Sequence, residues 1–249
     1  MNNKKISLLS LLLICQSSLS VIAGTMGETK DKYYHPFINV GIGAAWQKIG
    51  SPQTVTLLPP DSNYYTVKSD YKLATNFNFA VGFEQLINQH FSYQLGIAAY
   101  GNTAVNSRGH VWQFALPEFD NFSYRYKIQS TAFLLTGKLL SDYSSIIHPY
   151  LSANIGLGLN RSFSYEETPL IEEAVAMEPF RNHTSNSFAW GAGTGLEINI
   201  TPTTRFGIGY QFIDFGNATL GKSPVQVGSD TLKQKQLSHQ MAFQITLFA

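Results

Sequence analysis

Ser187–Phe215 reads SFAWGAGTGLEINITPTTRFGIGYQFIDF. Phe188, Trp190, Ala192, Thr194, Leu196 and Ile198 share one parity; Ala189, Gly191, Gly193, Gly195 and Glu197 share the other. After Ile200-Thr201-Pro202-Thr203 the alternation restarts, with Phe206, Ile208, Tyr210 and Phe212 against Arg205, Gly207, Gly209 and Gln211. A period of two marks strands, because successive side chains leave opposite faces. One face is aromatic and aliphatic, the other glycine with a few charges. A soluble sheet puts its large residues inside. Here the small, polar face reads as a narrow lumen and the apolar face as one that meets lipid.

The same pattern recurs outward from this hairpin. Phe37–Trp46, Leu73–Glu84, Phe91–Tyr100, Tyr124–Leu140, Tyr150–Tyr165 and Leu237–Phe248 supply six more strands. In Tyr124–Leu140 the alternation slips near Gln129–Thr131, which predicts a bulge or a strand that rises above the lipid. The connections alternate between long and short. Gln47–Asp70, Gly101–Ser123, Glu166–Asn186 and Gly216–Lys235 are long and polar; Gln85–His90, Ser141–Pro149 and Ile200–Thr203 are brief. The expected fold is therefore all-β: an eight-stranded antiparallel up-and-down transmembrane β-barrel with four long outer loops and short periplasmic turns. Aromatics near strand ends are expected to form two interfacial girdles. Tyr34, Phe37, Phe91, Tyr150 and Phe206 fall on the short-turn side; Trp46, Tyr100, Phe163, Trp190 and Phe212 fall on the long-loop side. A lipocalin-like barrel or a sandwich would need large apolar residues on the enclosed face, where this chain has Gly, Ser, Asn and Gln.

Composition agrees. Only 13% of the 249 residues are charged, while 17 Phe and 13 Tyr raise the aromatic share to 13%. The net charge of +1 gives no case for nucleic acid. Residues 1–23 read as a signal peptide: Lys4 and Lys5, the apolar run Ile6–Ile14, and Val21-Ile22-Ala23 before a cleavage that starts the mature barrel, 24–249, at Gly24. The single cysteine, Cys15, lies in that segment, where it fits a lipoprotein signal poorly because Ile14 occupies a small-residue position. The apolar run is too short for a spanning helix.

At Arg205-Phe206-Gly207-Ile208-Gly209-Tyr210-Gln211-Phe212-Ile213-Asp214-Phe215-Gly216 and in the closing strand, the chain resembles the eight-stranded outer-membrane barrel superfamily that includes the opacity proteins and the outer-membrane-protein-A transmembrane domain. The resemblance implies the bacterial outer membrane, its lipid and the barrel-assembly machinery as partners. The family's closing strand usually ends on an aromatic; this one ends Leu247-Phe248-Ala249, with the aromatic one place early.

Inward parity places Glu84, Lys138, Glu197 and Arg205 low in the lumen, at the short-turn ends of their strands. Unpaired charges there would be costly, so a structural ion cluster or a gate is expected. His183, Ser185 and Glu197 are spaced like the triad of outer-membrane lipid A deacylases. However, no turn separates them, so His183 and Glu197 should lie on the order of 45 Å apart. Histidines do not cluster at metal-ligand spacing, and the Gly-x-Gly runs lie inside strands, so no cofactor, metal site or catalytic residue is expected. The expected role is surface recognition or adhesion through the loops, with a host or surface ligand. The alternative is a small passive channel; a lipid-modifying enzyme is a third, weaker reading.

Overall fold

The computed structural model describes residues 34–68, 71–142, 146–176, 179–223, 227–228 and 230–249. The expected signal segment 1–23, with Cys15, lies outside the described residues. Eight strands close a ring: β1 (His35–Ile49), β4 (Tyr71–Asn88), β5 (Phe91–Asn102), β7 (Asp120–Ser141), β8 (Ile147–Pro169), β10 (His183–Thr201), β11 (Thr204–Thr219) and β13 (Lys233–Phe248). Each is antiparallel to both neighbours, and β1 pairs with β13 from Phe37↔Phe248 to Ile49↔Gln236 to complete the closure. Closure leaves the ring itself without a free edge, so its strands pair on both sides within the protein.

Along the lower part of the ring, the apolar parity faces out. Ile38, Ile42, Phe77, Phe79, Ile97, Phe133, Leu135, Ile155, Leu157, Phe188 and Phe243 are all exposed. Their inward neighbours Asn39, Asn76, Gln94, Asn154, Gln240 and Thr246 are buried. A surface this apolar is a surface for lipid, not water.

Above this zone the assignment of faces reverses. On β7 the inward set changes from Thr136 and Lys138 to Ile128, Tyr126, Tyr124 and Phe122, while Gln129, Lys127 and Arg125 are exposed outside. The expected slip near Gln129–Thr131 is thus corrected in one respect. Even-numbered residues point inward from Phe122 to Leu140 without a break; what changes is which chemistry occupies the inner face. The irregularity lies higher, where Arg125 pairs with Glu166 and Lys127 with Phe163, so β8 carries an extra residue. Ser164 there has φ 56°, with its N–H donating to Asn182 Oδ1 at 2.9 Å.

The long connections are also more ordered than polar loops. The first contains a hairpin, β2 (Gln53–Leu58) with β3 (Asp61–Tyr65). The second contains β6 (Val105–Trp112), paired with β7 and, through Trp112 and Val111, with Tyr64 and Tyr65 of β3. β8 continues to Pro169, so Glu166 and Glu167, read as loop residues, are strand residues. Glu166 accepts two bonds from Arg125, and Glu167 accepts the Tyr165 hydroxyl. The fourth connection ties to the others. Gly221 and Lys222 (β12) pair with Arg181 and Phe180 (β9), and the Gly228 N–H donates to Leu57 O at 2.8 Å. Gln53 bonds Thr231 O and the Lys233 N–H. Under these braces lies an apolar core of Ile49, Val55, Tyr65, Val111, Phe122, Tyr124, Tyr126, Ile128, Tyr165, Phe180, Leu220 and Leu232.

Candidate functional site: a charge-paired bore under a knitted cap

Parity brings the four low charges together. The Arg205 guanidinium grips Glu84 with both terminal nitrogens, at 2.6 and 2.9 Å, and its Nε donates to Asn199 Oδ1 at 2.9 Å. Gln94 Nε2 donates to the same Glu84 carboxylate at 2.8 Å. Lys138 Nζ donates to Glu197 Oε1 at 2.5 Å, and Arg205 Nη1 lies 3.7 Å from the other Glu197 oxygen. Glu197 is 0% exposed. Two cations and two carboxylates form one neutral, contiguous network, the condition under which buried charges are tolerated. Two rings flank it. Lys138 lies 4.4 Å from the centre of the Tyr150 ring, and the Arg205 guanidinium 4.6 Å from that of Phe248.

Three aromatics expected at the interfaces belong instead inside. Phe37, Tyr100 and Tyr150 carry the inward parity of their strands, and each lines the small lumen cavity with Asn78, Gln94 and Lys138. An aromatic at a strand end is an interfacial anchor only if the period of two turns it outward. Tyr150 explains the glycines that look like empty space in the sequence. A Cβ on Gly209 would stand 2.0 Å from the Tyr150 hydroxyl and one on Gly195 2.7 Å from it, so these glycines hold room for a ring that fills the bore. Beside the ring lies a water-sized cavity of about 30 Å³. Phe248, one place before the C-terminal residue, turns inward 6.4 Å from Phe37 and helps close the lower mouth.

Above the cavity, Ala132, Leu134, Ala189, Ile213 and Phe215 form an apolar layer with Tyr100 on the β7–β11 side. On the other side, amides take over: Asn76 donates to Gln240 Oε1 at 3.0 Å, and Gln240 to Asn102 Oδ1 at 3.2 Å. The cap core then covers the whole. Tyr65, Tyr124, Tyr126, Tyr165 and Phe180 contact one another ring to ring, with centroids 5.1 to 6.2 Å apart. Burial pushes the phenols of Tyr65, Tyr124, Tyr126 and Tyr165 well above their ordinary range. Sequence reasoning missed this core. Its signal was present in the apolar alternation Phe122, Tyr124, Tyr126, Ile128 and in Val105-x-Ser107-x-Gly109-x-Val111, which the polar connections around them obscured.

The remaining long-loop-side aromatics face out. Trp46 and Trp190 are exposed, Phe212 packs 5.4 Å from Trp190 and 5.3 Å from His239, and Phe163 lies under Arg161 at 4.9 Å. The triad-like residues stay apart on one continuous strand, β10. His183 Nδ1 contacts Thr219 Oγ1 and Ser185 Oγ donates to Asn217 O, both at the cap, whereas Glu197 belongs to the low network. At the summit, Phe114, Leu116 and Phe119 are exposed at the end of the β6–β7 hairpin, and Phe114 and Ala115 are held at φ 55° and 57°.

No family model matches the chain. A stretch of 103 residues is 23% identical to the outer membrane protein PagN of Salmonella typhimurium, spanning 41% of this chain and 41% of that one. Among solved structures, the outer membrane protein OprG from Pseudomonas aeruginosa aligns over 88% of this chain and 98% of its own, at 13% identity and a TM-score of 0.49. Neisserial surface protein A aligns over 84% of this chain and 96% of its own, at 16% identity and a TM-score of 0.41. The closed ring, the apolar belt and the polar bore define the class: this is an eight-stranded outer-membrane β-barrel.

Proposed function

We propose that the protein is a non-enzymatic surface-recognition barrel of adhesin type, in which the cap binds a host or surface ligand and the barrel anchors it. The observation that carries this reading is the knitting of four connections into one cap with its own apolar core. A rigid scaffold that offers an ordered surface is what recognition needs. The exposed Phe114, Leu116 and Phe119, in a backbone that only surrounding structure can hold in the left-handed region, make the β6–β7 summit the favoured contact. Barrel insertion by the assembly machinery, with Phe248 turned inward, belongs to the same proposal, as does the role of the four low charges as a plug rather than a gate.

The test pairs two measurements on the mature protein. Adhesion of cells displaying it to host-cell monolayers is expected to fall severalfold with Phe114→Ser/Phe119→Ser and to survive Lys138→Met/Glu197→Met. Planar bilayers holding the same protein are expected to stay silent. Undiminished adhesion by the summit variant overturns the recognition reading, and steady conductance altered by the lumen variant replaces it with a channel.

A further inference from the structure

The exposed apolar surface of the β6–β7 summit continues onto the end of β8. The Leu170 N–H donates to Asn121 O at 2.8 Å, which sets Leu170 and Ile171, both exposed, beside the segment that carries Phe114, Leu116 and Phe119. The ridge is held from within. The Leu116 N–H donates to Gln113 O at 3.1 Å and the Phe119 N–H to Leu116 O at 3.0 Å. Asn121 Nδ2 donates to Gln113 Oε1 at 2.6 Å, and the Phe114 and Phe119 rings meet edge to face with centroids 5.7 Å apart. Large apolar side chains kept in water by an ordered backbone mark a contact surface, because folding gains nothing from exposing them.

The charge around this ridge has one sign. Residues 111–124 and 162–180 contain no lysine or arginine. Of their carboxylates, Asp120 is engaged by His110 and Glu166 by Arg125, and Glu167 accepts the Tyr165 hydroxyl. Glu118, within the ridge, and Glu172 and Glu173, directly after Ile171, are exposed, and among the described residues no cation pairs with them. An occupant that matches this surface brings apolar groups and positive charge together. A lipid surface fits poorly, because its phosphates would meet these carboxylates. A second copy of the chain fits poorly as well, because the same face would set carboxylate against carboxylate. We infer that the partner of the summit is a cationic amphipathic polypeptide segment. Its apolar side chains pack on Phe114, Leu116, Phe119, Leu170 and Ile171, and its lysines or arginines pair with Glu118, Glu172 and Glu173. The inference rests on the surface-recognition reading and names the chemistry of the ligand.

The test is fluorescence anisotropy of a labelled peptide of alternating leucine and lysine, titrated with the full mature protein in phosphatidylcholine nanodiscs and, as the baseline, with empty discs. Binding above the baseline is expected, and it should weaken as salt is raised. An exposed ion pair contributes at most about fivefold, so Glu118→Gln/Glu172→Gln/Glu173→Gln is expected to weaken binding roughly tenfold. Phe114→Ser/Phe119→Ser removes two aromatic anchors and should cost about thirtyfold or more. A peptide of alternating leucine and glutamate should stay at the baseline, which tests the charge requirement without any variant. The inference fails if the leucine–lysine peptide does not exceed the baseline, if the leucine–glutamate peptide binds within a few-fold of it, or if the glutamine variant binds undiminished. It fails equally if phosphatidylserine vesicles alone capture the protein discs, since a bilayer would then be the partner. Adhesion to host-cell monolayers separates this inference from the reading beneath it. Both variants are expected to lose adhesion. Loss with the serine variant alone keeps the summit as the contact and overturns the cationic partner; undiminished adhesion with both overturns recognition at the summit itself.

Discussion

The lower barrel and the cap are built from the same strands with opposite chemistry. Along β7, Leu135 and Leu139 face lipid while Thr136 and Lys138 face the bore; a few residues up, Tyr124, Tyr126 and Ile128 face inward while Arg125 and Lys127 face water. The β7 strand keeps one parity through both regions. What changes is the medium outside. In lipid, the apolar face has no reason to turn inward and the polar face is what must be enclosed; in water the ordinary hydrophobic drive returns. The boundary between them lies between Phe133 and Gln129 on β7, and between Leu157 and Arg161 on β8.

The largest expected effect tests how the lower region encloses its charges. Glu197→Ala leaves Lys138 and Arg205 without their shared partner in the bore and should cost roughly 3–5 kcal/mol of barrel stability. Lys138→Met/Glu197→Met should come close to neutral, as read by urea unfolding in lipid. An equal loss in both would mean that shape, not charge pairing, holds the low bore together.

The next effect locates the boundary. Leu135→Lys puts a cation into the lipid belt and should cost about 2–4 kcal/mol. Gln129→Lys, on the same face above the belt, should change stability by less than about 0.5 kcal/mol. Should both variants lose similar amounts in refolding titrations, the faces do not reverse where β7 places them.

The smallest effect at neutral pH concerns the cap alone. Tyr65, Tyr124, Tyr126 and Tyr165 have raised phenol pKa values in the fold against about 10 in the unfolded chain. A raised folded value means that the stabilisation is complete below pH of about 10 and drains away above it, as the unfolded chain releases protons that the fold retains. Tyrosinate absorbance should therefore show these four titrating only as the cap opens. A cap that stays folded with all its phenols ionised would contradict the burial seen here.

Much of the fold was legible in the sequence, for identifiable reasons. A strict period of two over Phe188–Ile198 and Phe206–Phe212 forces strands, and alternating long and short connections set the ring order. The same parity brought Glu84, Lys138, Glu197 and Arg205 to one end of the bore. It would also have turned Phe37, Tyr100 and Tyr150 inward; placing them at the interfaces by nearness to strand ends ignored it. The cap escaped because its strands are short and their partners are distant in sequence: Tyr65 meets Phe180 and Leu57 meets Gly228. Those long-range contacts leave no local period to read, and the one that β7 does carry, Phe122 to Ile128, is obscured by the polar connection around it.

The sequence by itself determined the strands, their faces and the medium, because local alternation and the chemistry of each parity are properties of neighbouring residues. Tertiary structure alone decided that a ring occupies the glycine-lined space of the bore and that the four connections are one body. Tyr150 fills the space at Gly195 and Gly209 from another part of the chain, and the cap core gathers residues from Ile49 to Leu232. Whether a space is empty or occupied depends on side chains that only closure of the ring brings face to face.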